Sequence, residues 1–350
     1  MSNTKNYVGT GRVEIIGNHT DHQGGHVLSC PSNEKIRASV TDNNESIIRI
    51  DSEGFDLIEI DISGKPIDYE KGTTAAFVVG ILEGFALYYG KRDMTGAGCD
   101  IHITSEVGVG SGLSSSASFE ILIARIINDR YYDNIATDVE LAKIGLYAEN
   151  EFYGKPCGLQ DHLVISLGKM VLMDLSNEEP EYEFIDCDFA RDGYCMKVVM
   201  TGSDHAGLGA EYASIPEDMI AVAKLMGLNV LGEISKSEFL EQLPMLEEKV
   251  KEGIITQLQL NRARHYYDED ERVLEGAAAL KERNIQRFLE CINESGLSSE
   301  NLLKNVLPPG VEENGLSRAL NEYRNRTTTA ALKLEGGGFG GSIMVFEKMD

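Results

Sequence analysis

The sequence predicts an α+β protein built from two domains, on three observations. A chain of 350 residues with 42% hydrophobic content can bury a large core, and this length is usual for two domains. The first half of the chain mixes short strand-like runs with amphipathic helical patterns. The second half is dominated by helical patterns and closes with a glycine-rich hairpin. A polar stretch at 188–193 separates the halves, so we expect domains at 1–190 and 191–350.

Each element follows from the pattern of its residues. Alternating apolar and polar residues predict strands, whereas apolar residues spaced by three or four positions predict helices. In the first half, strands are expected at 35–41, 46–51, 56–62 and 170–174, and helices at 74–89, after Ala117 and from Leu141 to Ala148. In the second half, strands are expected at 195–201, 330–334 and 343–346, and helices at 217–226, 236–251, 258–281 and 285–294.

The composition excludes several classes of partner. A formal net charge of -25 argues against binding to nucleic acid or to anionic membranes. No apolar run is long enough to span a bilayer, and the first six residues contain no apolar signal core. Six cysteines occur without C-x-x-C spacing, which is typical of reduced thiols in the cytoplasm. We therefore expect a cytoplasmic protein.

A short early stretch carries many groups suited to a binding site. It reads G-R-V-E-I-I-G-N-H-T-D-H-Q-G-G from Gly11 to Gly25 and combines a cation, carboxylates, two imidazoles and turn-forming glycines. Taken alone, a polar hairpin after a short strand would explain the stretch. Two further glycine-rich segments make a ligand site the better interpretation.

The second segment, at 108–117, is a flexible loop that runs directly into a helix. Its sequence is G-V-G-S-G-L-S-S-S-A. Unpaired N–H groups and the positive dipole at a helix N-terminus suit phosphate, and the serine hydroxyls add donors and a candidate Mg²⁺ ligand. The loop is not a Walker A loop, since no Gly-Lys-Ser/Thr follows, and the dinucleotide spacing G-x-G-x-x-G is absent. The alternative is a serine-rich N-cap on an ordinary helix.

The third segment lies between the last two predicted strands. It has five glycines in the six positions 336–341. A tight hairpin needs only one or two glycines, and each additional glycine costs conformational entropy. We therefore expect this run to let the backbone approach a ligand closely.

Together, the three segments resemble the motifs of the GHMP small-molecule kinases, and within them those of the galactokinases. Galactokinases carry G-R-V-N-L-I-G-E-H-T-D-Y, G-L-S-S-S-A and G-G-G-F-G-G in this order, and the matches extend over nearly the whole chain. Residues 156–161 also resemble P-C-G-x-x-D, and residues 262–272 resemble R-A-R-H-x-x-x-E-x-x-R. The resemblance implies an S5-like N-terminal domain and a ferredoxin-like, helix-rich C-terminal domain, with the site in the cleft between them.

The resemblance further implies a kinase that moves the γ-phosphoryl group of ATP to the anomeric hydroxyl of a sugar. Asp161 would lie beside that hydroxyl, with Arg12 as its partner. Glu149 and either Ser115 or Ser116 would bind Mg²⁺, which prefers oxygen ligands. Because an arginine lowers the pKa of a neighbouring carboxyl, Asp161 is expected to be ionised, to orient the hydroxyl and to take its proton late. Arg12 would stabilise the charge that moves during transfer.

The resemblance also assigns residues to both substrates. ATP would be bound by the loop and the last glycines, at Gly108, Gly110, Gly112, Leu113, Ser114, Ser115, Ser116, Ala117, Gly337 and Gly338. The sugar would be bound by Asn18, His19, Asp21, Gly158 and Tyr212. His205, on the loop that leads to Tyr212, is expected at the surface. We expect a monomer that binds a small sugar and ATP, with ATP and Mg²⁺ as cofactors.

Departures from the galactokinase pattern leave the sugar open. Asn18 replaces a glutamate that lies near the C6 hydroxyl in galactokinases, and the loss of that charge would suit galacturonate. The stretch 21–25 likewise resembles plant galacturonate kinases. Because Asn18 can still hydrogen-bond a C6 hydroxyl, galactose and galacturonate both remain candidates. Glu335 replaces a threonine, and an acid near the ATP phosphates is unfavourable unless it turns away or meets the metal.

A sensor that binds sugar and ATP without turnover is the remaining alternative. Some galactokinase-like sensors lack the Ser-Ala pair of the phosphate loop, whereas Ser116 and Ala117 are both present here. Since Arg12, Glu149 and Asp161 are also present, the sequence favours an enzyme.

Overall fold

The computed structural model describes residues 4–155, 157–177, 179, 181–202 and 208–349. Pro156 and His205 lie outside the described residues. Contacts between residues group the chain into two compact units. The first unit consists of Met1–Arg12, Pro31–Val109 and Leu113–Lys169, and the second consists of Val13–Cys30, Gly110–Gly112 and Met170–Asp350.

The first unit contains a mixed sheet whose alternate residues form the core. Its strands run in the order β4-β3-β5-β2, and β1 also pairs with β2. β5 is antiparallel to β2, with Val40 opposite Ile101, and parallel to β3. Every second residue from Ile36 to Val40 is buried, as expected for a strand with one face in the core. The strands are β1 (Thr4–Ile16), β2 (His26–Asp42), β3 (Ile47–Ser52), β4 (Ile58–Asp61) and β5 (Cys99–Ser105).

Four helices complete the first unit. Aromatic residues join them in the core, where Phe85 stacks on Tyr132 with ring centroids 4.8 Å apart. The third helix begins with a capping box in which Thr137 and Glu140 bond each other's backbone N–H groups. The helices are α1 (Thr74–Tyr89), α2 (Ser115–Tyr131), α3 (Asp138–Tyr147) and α4 (Gln160–Leu167), and a π-helical turn at Ala148–Tyr153 follows α3.

The second unit is rich in helices and has a separate antiparallel sheet. The order of that sheet is β8-β10-β9, and in the same unit the beginning of β2 pairs with β6, which pairs with β7. Phe239 stacks on Tyr267 in the helical core, with ring centroids 4.3 Å apart. The strands are β6 (Val171–Asp174), β7 (Glu181–Phe184), β8 (Tyr194–Met200), β9 (Thr329–Glu335) and β10 (Ser342–Lys348). The helices are α5 (Gly209–Leu225), α6 (Lys236–Lys251), α7 (Gln257–Lys281), α8 (Ile285–Ser298) and α9 (Gly315–Arg324).

The α+β class is confirmed, and most predicted elements lie within a few residues of those observed. The helix predicted at 74–89 is α1 without change. α5 begins at Gly209 and contains Pro216. The helix was predicted to begin at residue 217, directly after this proline, because proline usually ends or kinks a helix. β1, with 13 residues, is longer than the short strand expected before the early motif. β5, β7, α4 and α9 were not predicted.

The predicted division at residue 190 stays a prediction. The grouping by contacts is not contiguous, since β1 and β2 each contribute residues to both units. All six cysteines are free thiols. No helix in the described parts of the chain is long and apolar enough to cross a bilayer.

Candidate active site

Arg12 and Asp161 form an ion pair within the first unit. Arg12, which is 7% exposed, donates from Nε to Asp161 Oδ1 at 2.7 Å. Asp161 lies in the first turn of α4, and its Oδ2 accepts a hydrogen bond from the Ser114 hydroxyl. Burial alone would raise the pKa of Asp161, but the Arg12 guanidinium and the Ser114 hydroxyl outweigh burial and hold the pKa below its ordinary value. The carboxylate is therefore ionised at neutral pH and is held from both sides.

The loop before α2 leaves the helix N-terminus open to an anion. Ser114, the N-cap residue, adopts a left-handed conformation with φ 57°, and its side chain makes no capping hydrogen bond. The first turn of α2 contains no acidic residue. β1 holds the loop, since the Arg12 N–H donates to Leu113 O at 3.0 Å. A side chain at Gly11 would place its Cβ 2.6 Å from Leu113 O, so this close approach requires glycine.

Ser116 and Glu149 meet beside the start of α2. The Ser116 hydroxyl donates to Glu149 Oε1 at 3.1 Å, and Lys155 Nζ donates to the same oxygen at 2.9 Å. Glu149 is 2% exposed and lies in the π-helical turn after α3, which continues the helix expected around it. Of the two candidate serines, Ser116 is the one that contacts Glu149 through a described hydrogen bond.

A cavity of about 240 Å³ opens next to these residues in the first unit. Ser116, Glu149 and Lys155 form part of its lining, and Ser115 is close to them. The rest of the lining is largely apolar and includes the side chains of Phe77, Phe119 and Tyr153. The cavity therefore combines a polar end at the N-terminus of α2 with an apolar end.

The other residues of the phosphate loop are placed as follows. Gly108 is exposed, Ala117 is buried, and Gly110 and Gly112 both have positive φ, at 71° and 82°. In the second unit, the Ser342 hydroxyl donates to Ser111 O at 2.5 Å.

Gly158, one of the residues predicted to bind the sugar, is exposed just before α4.

The early motif forms a tight turn in the second unit. His19 has a φ of 61°, and its ring nitrogens lie 3.1 Å from Gly337 O and 3.1 Å from His22 Nε2. Asp21 begins a 3₁₀ turn that Gly24 ends in a left-handed conformation. The Asp21 carboxylate is partly exposed and makes no hydrogen bond to any residue that the structure describes. It is therefore available to a polar ligand.

Asn18 is placed differently from the sugar contact that the sequence suggested. Its side chain is fully buried. The amide nitrogen donates to Glu14 Oε1 at 3.0 Å and to Gly336 O at 2.6 Å, and the amide oxygen accepts from Asn305 at 2.8 Å and from Ser299 at 3.2 Å. Both N–H groups and both lone pairs are used, so the geometry does not support a direct contact between Asn18 and a sugar.

A buried carboxylate, that of Glu14, lies beside Asn18. Glu14 is 6% exposed, and its Oε1 lies 3.1 Å from Nζ of Lys333, which is fully buried. Glu335 is also fully buried, and its Oε1 accepts a hydrogen bond from the Glu14 N–H at 2.8 Å. Glu335 thus turns into the second unit and helps to hold β1.

Side chains of α7 form hydrogen bonds with the backbone of the early motif. Glu269 is fully buried, and its Oε1 accepts hydrogen bonds from the N–H groups of Gly17 at 3.1 Å and Asn18 at 3.2 Å. Burial alone would raise the pKa of Glu269, but the Arg272 guanidinium outweighs burial and lowers the pKa to about 2. His265 Nε2 lies 2.9 Å from Asn18 O. The helix that resembles the R-A-R-H motif thus fixes the backbone of the turn.

The glycine run is packed closely against Tyr212 and Asn305. The Tyr212 hydroxyl donates to Gly338 O. A Cβ at Gly337 would lie 2.5 Å from Tyr212 Cε1, and one at Gly338 would lie 2.3 Å from Asn305 O. Packing within the second unit therefore explains why these positions are glycine, and the predicted contact with ATP stays a prediction.

Comparison with known proteins identifies the family. Residues 76–169 match the GHMP kinases N terminal domain, and residues 6–41 match the galactokinase galactose-binding signature. The galactokinase of Clostridium tetani is 30% identical over 98% of this chain and 84% of its own length. This chain belongs to the galactokinase family. Membership confirms the resemblance drawn from the three motifs.

Solved structures show that the galactokinase-family chain has the two-domain GHMP kinase fold. A crystal structure of Lactococcus lactis galactokinase complexed with galactose has a TM-score of 0.82 at 22% identity, covering 99% of this chain and 86% of that one. The Methanococcus jannaschii mevalonate kinase has a TM-score of 0.67 at 16% identity, covering 99% and 91%.

Sequence reasoning missed several residues that shape this galactokinase-family site. The family motif has asparagine and glutamate four positions apart, and this chain has Glu14 and Asn18 in the exchanged order. That exchange was the available signal that the carboxylate had moved rather than disappeared. Lys155 and Lys333 gave no signal of this kind, because the partners of a lysine depend on the fold.

Proposed function

We propose that this chain is an ATP-dependent galactose 1-kinase, which transfers the γ-phosphoryl group of ATP to the anomeric hydroxyl of galactose. Membership of the galactokinase family supports the proposal, and the family implies the use of ATP. The observation that carries it is the ionised Asp161, held between Arg12 and Ser114 at the open N-terminus of α2. A carboxylate, a guanidinium and an anion-binding helix end are what phosphoryl transfer to a hydroxyl requires.

The nucleotide is proposed to bind at the start of α2. N–H groups at a helix N-terminus favour phosphate oxygens, and the absence of a side-chain cap leaves those groups available. The neighbouring cavity suits the rest of the nucleotide, because its apolar lining at Phe77, Phe119 and Tyr153 matches an aromatic base. Local groups thus offset the net charge of -25, which disfavours an anionic substrate.

Glu149 and Ser116 fit Mg²⁺ as ligands. A carboxylate oxygen and a hydroxyl oxygen lie 3.1 Å apart on the lining of one cavity, and Mg²⁺ binds oxygen donors while keeping several waters. Lys155 now supplies the positive charge at Glu149 Oε1. When bound, Mg²⁺ would neutralise part of the charge on the phosphates.

Asp161 and Arg12 have different roles in the proposed reaction. Asp161 orients the attacking hydroxyl and accepts its proton as the bond to phosphorus forms. Because the pKa of Asp161 is held below its ordinary value, it is a weak base and takes the proton late. Arg12 stabilises the negative charge on the reacting oxygens, and its own position is fixed by Asp161 Oδ1.

We propose that Asp21 is the polar side chain of the early motif that contacts the sugar, since its carboxylate makes no hydrogen bond to a described residue. His19 and Tyr212 would shape the pocket by holding the glycine run. Asn18 would act by supporting the turn. The case for galacturonate depended on Asn18 facing the C6 group of the sugar, whereas the Asn18 side chain is fully buried and hydrogen-bonded within the second unit. Galactose is therefore the favoured substrate.

The test is ATP consumption by the purified chain with Mg²⁺ and, separately, galactose, galacturonate or no sugar. Phosphorus NMR of the product should identify an anomeric phosphate of galactose. Faster turnover of galacturonate would overturn the choice of sugar. Binding of galactose and ATP without ATP consumption would overturn the proposal of a kinase and support a sensor.

A further inference from the structure

The two oxygens of Glu149 face different groups in the first unit. Oε1 accepts from Ser116 and Lys155, which line the cavity. Oε2 accepts from the Cys157 thiol at 2.9 Å and lies 3.6 Å from His162 Nε2. Glu149 Oε1 therefore faces the residues that line the cavity, whereas Oε2 faces a sulfur and a nitrogen atom.

The sulfur and nitrogen side has the donor set of a thiophilic metal ion. Glu149, Cys157 and His162 each offer one ligand atom, and all three atoms lie within 4.8 Å of one another. Around a tetrahedral Zn²⁺, such atoms are roughly 3.3–3.7 Å apart, as the usual Zn–S, Zn–N and Zn–O bond lengths imply. Carboxylate, thiolate and imidazole together favour Zn²⁺, whereas Mg²⁺ would choose oxygen ligands alone.

His162, the nitrogen ligand, lies in a buried and polar part of the first unit. His162 and Glu120 are fully buried, and Glu120 Oε2 lies 3.1 Å from His162 Nε2. His162 Nδ1 and Glu120 Oε1 are both buried without a hydrogen-bond partner. These two atoms are not among the ligand atoms, and metal binding at His162 Nε2 would replace its present hydrogen bond to Glu120 Oε2.

We propose that Glu149, Cys157 and His162 form a second metal site, which binds Zn²⁺ and thereby inhibits the kinase. On binding, the Cys157 S–H bond breaks, an Sγ–Zn bond forms, and the proton leaves to solvent. His162 gives its Nε2 lone pair to the metal, and the ring proton moves to Nδ1. Zn²⁺ at Oε2 would weaken the binding of Mg²⁺ at Oε1, because two dications on one carboxylate repel each other and divide its negative charge. The inhibition, though not the binding, depends on the proposed function.

The binding test uses the purified, reduced chain after EDTA treatment, titrated with Co²⁺ as a coloured substitute for Zn²⁺. We expect a thiolate-to-cobalt charge-transfer band that saturates at one ion per chain and is lost when Zn²⁺ is added. Cys157→Ser should abolish the band, and His162→Asn should keep the band but weaken binding by more than about tenfold, because loss of a ligand costs more than the roughly 10–100-fold cost of losing an outer-shell partner. Cys187→Ser, a half-buried thiol outside the site, is the matched control.

Absence of a band in the wild-type chain, or an equal band in Cys157→Ser, would overturn the site. Circular dichroism of each variant confirms that it is folded. In the activity test, Zn²⁺ should inhibit ATP consumption, added Mg²⁺ should relieve the inhibition, and Cys157→Ser should lose the sensitivity to Zn²⁺. A Cys157-dependent band without galactose turnover would refute the proposed function while keeping the site, and turnover without a band would do the reverse.

Discussion

Asp161 has one carboxylate oxygen on Arg12 and the other on Ser114. Asparagine has nearly the same shape but carries no charge and cannot accept a proton. We expect Asp161→Asn to lower kcat by roughly 10²–10⁴-fold, with a smaller effect on KM for ATP. Steady-state ATP consumption with galactose measures this, and the exposed Asp56→Asn serves as control. A variant with near wild-type kcat would show that Asp161 has no part in the chemistry.

Lys155 provides a test of the proposed Mg²⁺ site. Its ammonium group holds Glu149 Oε1, which Mg²⁺ would need. Because the Lys155 side chain is 59% exposed, the pair contributes at most about 1 kcal/mol. We expect Lys155→Met to lower the Mg²⁺ concentration for half-maximal activity by up to about fivefold, and Lys155→Arg to leave it unchanged. A higher Mg²⁺ requirement in Lys155→Met would instead assign the ammonium to the phosphates.

At the scale of elements, α7 fixes the early turn through Glu269. The folded pKa of Glu269 is about 2, below its ordinary value of 4.5, so its contribution to stability is present above about pH 4.5 and is lost as the pH falls towards 2. The shift corresponds to roughly 3 kcal/mol. We expect Glu269→Gln to lower the free energy of unfolding at pH 7 by about this amount, with the difference shrinking below about pH 4.5.

Urea unfolding at several pH values measures this difference. Glu282→Gln, an exposed change just beyond the end of α7, is the control and should leave the free energy of unfolding unchanged at every pH. A destabilisation by Glu269→Gln that is independent of pH would contradict the assignment of the effect to the ionised carboxylate.

The glycine run between β9 and β10 gives a test of packing. A Cβ at Gly337 would lie 2.5 Å from the Tyr212 ring, whereas one at Gly209, in the first turn of α5, would meet nothing within 4 Å. We expect Gly337→Ala to cost about 1–3 kcal/mol and to raise KM for galactose. Gly209→Ala should be neutral or slightly stabilising. Thermal unfolding and sugar kinetics measure both, and equal effects of the two changes would rule out the packing argument.

For the whole molecule, the net charge of -25 opposes the compact state through self-repulsion. Salt screens this repulsion over a Debye length of about 8 Å at physiological ionic strength. We expect Tm to rise as NaCl is raised from low to physiological concentration. KCl should act equally, which separates screening from specific ion binding. A Tm that falls with salt would mean that surface ion pairs, not self-repulsion, dominate the electrostatics.

Much of the fold and of the site could be predicted, for a physical reason visible in particular residues. The helix at 74–89 could be predicted because its apolar pattern depends on neighbours three or four positions apart. Arg12 and Asp161 could be paired because the motifs that carry them match a family. Lys333 could not be paired with Glu14, since 319 residues separate them and only the fold brings them together.

The sequence by itself determined the α+β class, the bounds of α1, α6 and α7 to within one residue, the three motifs and the galactokinase family. Only the tertiary structure decided what Asn18 and Glu335 do. The sequence suggested a lost charge at Asn18 and an unfavourable acid at Glu335, but both are buried and hydrogen-bonded beside Glu14. Local patterns depend on neighbours along the chain, whereas the environment of a buried polar group depends on residues that only folding brings together.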